Sequence, residues 1–100
     1  MSFRDQWIAS RRMAVLRLLV QVDGEANASI LYRGIANLGF GRDTREDLER
    51  DLDYLAAVRC VTEEYLEPTV RIVTLTARGE DAAYGRVRID GIEHSRWRRD

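Results

Sequence analysis

Residues 43–60 read DTREDLERDLDYLAAVRC. Leu48, Leu52 and Leu55 recur at spacings of four and three, which places them on one face of a helix. Asp43 or Thr44 can cap its start, each with a carboxylate three positions on (Glu46 or Asp47), as a capping box requires. The pattern predicts a helix over 43–58. Its first eleven residues hold six carboxylates (Asp43, Glu46, Asp47, Glu49, Asp51, Asp53) against two arginines (Arg45, Arg50).

Outward from this segment the chain punctuates itself clearly. Upstream, Asn27 is a good N-cap for a helix over 27–38, whose Ala28, Leu31, Ile35 and Leu38 share a face. Gly34 inside it costs about 1 kcal/mol against alanine and implies close packing. Gly39-Phe40-Gly41 ends that helix, with Gly39 suited to the left-handed position past its end. A first helix is expected over 5–22, stopping at Asp23-Gly24. It is apolar on two sides: Ile8, Val15, Leu19 and Val22 on one, Met13, Leu16 and Val20 on the other. One stripe belongs in the core; the other is expected to meet a dimer mate or the chain's own tail. Two helices joined by a tight glycine turn after a supporting helix spell helix-turn-helix. Downstream, residues 60–75 read as a two-stranded hairpin with Pro68, the sole proline, at its tip. Thr76 caps a short helix over 77–87, and 88–100 form an extended tail.

The totals describe one soluble domain. One hundred residues support a single modest core. The net charge of −1 gives no overall pull toward nucleic acid or acidic membranes. Cys60 is the only cysteine, so there is no intramolecular disulfide and no cysteine cluster for zinc. The longest apolar run, MAVLRLLVQV over 13–22, is short and broken by Arg17, which suits neither a signal peptide nor a membrane span.

The whole chain resembles the winged-helix superfamily, most strongly where the hairpin's second strand enters IVTLTARGEDAA, a step shared with MarR-like and PadR-like regulators. More narrowly it resembles small winged-helix regulators encoded by Mu-like bacteriophages and prophages. The residues that carry this are Trp7, Ile8, Ala9, Arg11 and Arg12, then Thr74 through Asp81, Gly85, Arg86, Gly91 and Ile92. The resemblance implies an α+β, mostly α, winged helix-turn-helix: three helices, a two-stranded wing and a short C-terminal helix. It implies a dimeric DNA-binding transcription regulator in the cytoplasm of a bacterial host. Where many winged helices leave the third helix through Gly-Leu-Val, this chain has Arg59-Cys60-Val61. Either Arg59 takes a left-handed conformation at a cost on the order of 1 kcal/mol, or the helix ends differently.

The charges pull against the resemblance. Over residues 41–67 four arginines stand against nine carboxylates, while affinity for duplex DNA comes largely from neutralising phosphates. The DNA-contact candidates are Arg42, Thr44, Arg45 and Arg50 at the start of the third helix and Arg71 on the hairpin. Weak, salt-sensitive binding is expected. The alternative is a non-enzymatic protein adaptor or phage assembly accessory whose Glu46, Glu49 and Asp53 meet a basic partner. Positive charge collects at the chain ends, with Arg4, Arg11, Arg12 and Arg17 near one and SRWRR at the other; in a dimer these ends could meet the acidic helix of the mate. Met13, Leu16 and Val20 are the dimer-face candidates. His94 is the only histidine and lies in the polar tail, so no nucleophile–base pair is expected. No enzyme activity, cofactor, metal or membrane partner is anticipated.

Overall fold

The computed structural model describes residues 2–95. The order is α1 (Phe3–Gln21), β1 (Glu25–Asn27), α2 (Ala28–Ile35), α3 (Arg45–Ala57), β2 (Val61–Glu67), β3 (Val70–Leu75) and α4 (Ala77–Ala83). Between α2 and α3 the chain continues through a wider coil, Ala36–Phe40, which Gly39 turns out of the helix at φ 106°. This is an α+β fold whose helices surround one end of an antiparallel sheet.

Side-chain caps fix the helix starts. Ser2 caps α1, with Asp5 returning the bond, so α1 begins two residues before the sequence expectation. Asn27 accepts from the Ile30 amide. Thr44 and Asp47 form the expected capping box on α3, and the Thr44 amide holds the Asp47 carboxyl below the usual carboxylate range. Leu48, Leu52 and Leu55 are fully buried against Leu16, Leu19, Leu31 and Ile35 in a single core. Each contributes about 1.5–3 kcal/mol by leaving water. Gly34 sits where a Cβ would press on the Leu18 side chain, so α1 and α2 cross at glycine distance.

The sheet has three strands, in the order β1-β3-β2, where the sequence indicated two. β1 pairs antiparallel with β3, Ala26 opposite Val73, and the Leu75 amide donates to Gly24 O at 2.7 Å. Three residues of Glu-Ala-Asn carry no readable alternation; this strand exists because the free edge of β3 needs partners. Beyond it β2 and β3 run on as a two-stranded arm, with a register irregularity between Tyr65 and Glu67.

The second apolar stripe of α1 is covered within the chain, by its own C-terminal part rather than by a mate, which corrects the dimer-face assignment. Met13 and Leu16 are buried, Val20 half-buried. The cover comes from the chain's own C-terminal part: Ala82, Ala83, Ile89 and Ile92 belong to the same core, and the Glu93 amide donates to Ala9 O. α4 is also shorter than expected, ending at Ala83, because Gly85 at φ 74° turns the chain back toward α1. Residues 96–99 of the SRWRR segment, with Asp100, lie outside the described residues.

α1, α3 and α4 all end in the same way. In each, the residue after the cap adopts positive φ and the next two amides return to the last turn: Asp23 (64°), Arg59 (66°) and Gly85 (74°). Only α4 uses glycine. Arg59 therefore does adopt the left-handed conformation, held there because Cys60 N donates to Leu55 O at 2.8 Å and Thr76 Oγ donates to Arg59 O at 2.7 Å. Replacing Arg59 with glycine relieves the steric cost without disturbing those bonds, since neither uses the side chain of residue 59. Arg59→Gly is expected to stabilise the fold by about 1 kcal/mol, a rise of roughly 4–8 °C in melting temperature by calorimetry; an unchanged or lower value would mean that the turn is not strained.

Candidate nucleic-acid interface on the third helix

Four of the six carboxylates over residues 43–53 are matched within the fold. Asp51 faces the core with almost no exposure and meets two arginines from α1. Arg11 grips both of its oxygens through Nε and NH2, and Arg12 Nε donates to Oδ1 at 3.1 Å. Arg11 NH1 also donates to Asp43 Oδ2 at 2.9 Å, and Trp7 Nε1 reaches the same oxygen at 2.8 Å. Asp43 is thus a bridge to α1, and Thr44 alone caps α3. Burial on its own would lower the Arg11 pKa, but hydrogen bonds to Asp51 and Asp43 outweigh it and hold the guanidinium above its ordinary range.

The network extends to the C-terminal segment. Arg12 lies over the Tyr54 ring, 3.8 Å from its centre, and donates to Gly91 O at 3.1 Å. The Tyr54 hydroxyl donates to Asp90 O. A Cβ on Gly91 would collide with that hydroxyl, so glycine is required by space as well as by its φ of 83°. Trp7 packs edge-on against Phe40 at 4.9 Å, which closes the α2–α3 connection over the Asp43 end.

A second tie joins α3 to the hairpin. Arg71 on β3 donates to Glu63 on β2 and to Asp53 on α3, the latter at 2.6 Å. Burial would lower its pKa; the bonds to Glu63 and Asp53 raise it. Arg71 is buried and committed, which removes it from the DNA-contact candidates. Asp53, offered as a protein contact, is likewise engaged, although solvent reaches most of it.

What remains outward on α3 is a short stripe. Arg42, Thr44, Arg45, Glu46, Glu49 and Arg50 are exposed. Arg50 pairs loosely with Asp47 at 3.5 Å. Among the described residues, the side chains of Arg42, Arg45, Glu46 and Glu49 make no hydrogen bond or ion pair. The candidates that the structure brings together are therefore Arg42, Thr44, Arg45 and Arg50, with two free glutamates between them. Arg11, Arg12 and Trp7 were legible only as a family signature and as positive charge near one end; the i, i+4 step from Trp7 to Arg11 was the available sign that they share a face.

Elsewhere the chemistry is quiet. Cys60 is buried, and burial pushes its thiol pKa up, away from reactivity. A surface cleft of about 490 Å³ between the ends of α1 and β3 and helix α4 is lined by Asp23, Glu80 and Asp81 among others. No helix among the described residues is long and apolar enough to cross a membrane.

Fold and ion network together define a small α+β domain in which both ends of the chain are tied to α3. No family model matches the chain. It is 39% identical over 87 residues to the uncharacterized protein gp26 of Escherichia phage Mu, and the match covers 86% of this chain and 88% of that one. The chain belongs to the family of this phage protein.

Breaking the network on one side leaves a buried charge without its partner. Asp51→Leu and Arg11→Met are each expected to cost about 3–5 kcal/mol, read from the urea midpoint. Arg11→Met/Asp51→Leu should lose clearly less than the sum, because it removes both charges; strict additivity would mean the two groups do not interact.

Proposed function

We propose that this is a winged-helix DNA-binding protein of a phage or prophage, acting as a transcription regulator, with the N-terminal turn of α3 as its groove-facing element. The observation that carries the reading is that the aspartates of α3 and of its N-terminal flank are matched within the chain. Asp43, Asp51 and Asp53 are matched by Arg11, Arg12 and Arg71 from other elements, and Asp47 serves the cap. At the N-terminal turn of α3 a ligand therefore meets less negative charge than the segment's total. At the start of α3 it meets Arg42, Arg45 and Arg50 against Glu46 and Glu49. The order α2, glycine turn, α3, hairpin also suits a helix entering the major groove with its first residues leading. The resemblance to winged-helix regulators supports the regulatory role.

Titration of a labelled random duplex in low salt tests this. Binding should appear and weaken steeply with salt. Arg42→Ala and Arg45→Ala should each weaken it across all sequences and lower the salt slope by about 1. No binding at tens of micromolar protein in low salt would end the reading.

A second reading, a protein adaptor, is favoured by one specific feature. The hairpin end exposes Tyr65 and Leu66, 60% and 64% accessible, beside Glu64 and Glu67, with no base to meet phosphate. An apolar, acidic tip suits a basic protein surface better than DNA. Under this reading Glu64→Lys with Glu67→Lys should abolish capture of a basic partner from infected-cell extract; a partner retained by that variant would sink it.

A further inference from the structure

The outward charges of α3 divide by residue type, and the division is informative. Every aspartate of the helix and its N-terminal flank has a structural partner: Asp43, Asp47, Asp51 and Asp53 bind Arg11 or Trp7, the Thr44 amide, Arg11 and Arg12, and Arg71 respectively. Glu46 and Glu49 have none among the described residues, although Arg50 lies four positions from Glu46 and Arg45 four from Glu49. Arg50 turns to Asp47 instead. Two carboxylates thus stand free between Arg45 and Arg50, at the spacing that places 45, 46, 49 and 50 along one face of α3, with Arg42 in the turn ahead of it.

Such carboxylates oppose binding to a phosphate backbone, whose contacts carry no sequence information. They become favourable only opposite a hydrogen-bond donor on a base edge. In the major groove such donors are the amino groups of cytosine and adenine, and a carboxylate is the usual acceptor for cytosine N4, as arginine is the usual donor to guanine O6 and N7. We infer that Glu46 and Glu49 are selectivity residues of the α3 surface, accepting from cytosine amino groups while the neighbouring arginines read guanine, so that the preferred ligand is a G·C-rich duplex. This rests on the DNA-binding reading above. The same carboxylates penalise every site where a carbonyl oxygen or a methyl group takes the donor's place. Non-specific binding is then weak by construction, and discrimination is correspondingly high.

The test is selection from a random duplex pool with the full chain, followed by titration of the selected and random duplexes. Glu49→Gln and Glu46→Gln serve as variants, since the amide keeps the shape, loses the charge and pairs naturally with adenine. The wild type should enrich G·C-rich sites. Each variant should bind random duplex more tightly than wild type, and the ratio of selected to random affinity should fall about 5- to 100-fold. Reselection with Glu49→Gln should replace a cytosine by adenine at one position. Melting temperatures close to wild type establish that the fold is kept. If wild type binds duplex but the variants retain its consensus and its affinity ratio, this inference is overturned and the DNA reading stands. A wild type that binds no duplex overturns both.

Discussion

The interaction on which this structure depends is the grip of Arg11 on Asp51. It places a buried cation from α1 against a buried anion from α3, and each is tolerated only because the other is there. An ion taken out of water costs several kcal/mol even after relaxation, and mutual attraction repays this only when geometry and further hydrogen bonds are good. Both conditions are supplied: Arg11 binds bidentately, a planar fit that lysine could not reproduce, and Arg12, Asp43, Trp7, Tyr54 and Gly91 use the remaining donors and acceptors. A buried pair is weak evidence for added stability. Its use here is orientation, because α3 cannot roll or slide along α1 without stranding a charge.

That constraint also explains why both ends of the chain converge on one helix. Trp7, Arg11 and Arg12 come from near the start, Asp90 and Gly91 from near the end, and all meet α3 around Asp43, Asp51 and Tyr54. In the resemblance to phage proteins these residues looked like two separate signatures. Spatially they are one. The Thr-x-x-Gly step has a similar origin at the opposite end of α3. Thr76 Oγ accepts from the Gly79 amide and donates to Arg59 O, while the Cys60 carbonyl occupies the space where a Cβ on Gly79 would lie. Glycine is needed there for close approach rather than for torsional freedom.

The local grammar was readable in the sequence and the pairing of charges was not. Leucine spacing in α3, the Asn27, Thr44 and Thr76 caps and the Gly34 crossing follow from rules that act within a few residues, and the structure has each of them. Strand β1 was invisible because three residues carry no period and its reason for forming lies fifty residues away on β3. The dimer stripe failed on similar grounds: periodicity shows that Met13 and Leu16 must be covered, but not that Ile89 and Ile92 do the covering. Asp51 shows the same gap from the other side. Counted along the chain it is one more negative charge on an acidic helix. Its position three residues after Leu48 and four before Leu55 places it beside the buried stripe, and an aspartate there has to find a cation or disrupt the core. Helix periodicity could have flagged it as inward-facing; only the fold could name Arg11.

The two ties on α3 act at different heights, which matters for any ligand it meets. Arg11 and Arg12 fix the helix against α1 near its start and middle, whereas Arg71 fixes it to both hairpin strands through Asp53 and Glu63. The hairpin arm is otherwise held only by its own ladder beyond the reach of β1, and a two-stranded ribbon alone is marginal in water. Arg71 therefore sets the angle between the arm and α3. The hairpin arm and the C-terminal half of α3 are then held as one unit, so that less ordering is required of either if a partner meets them.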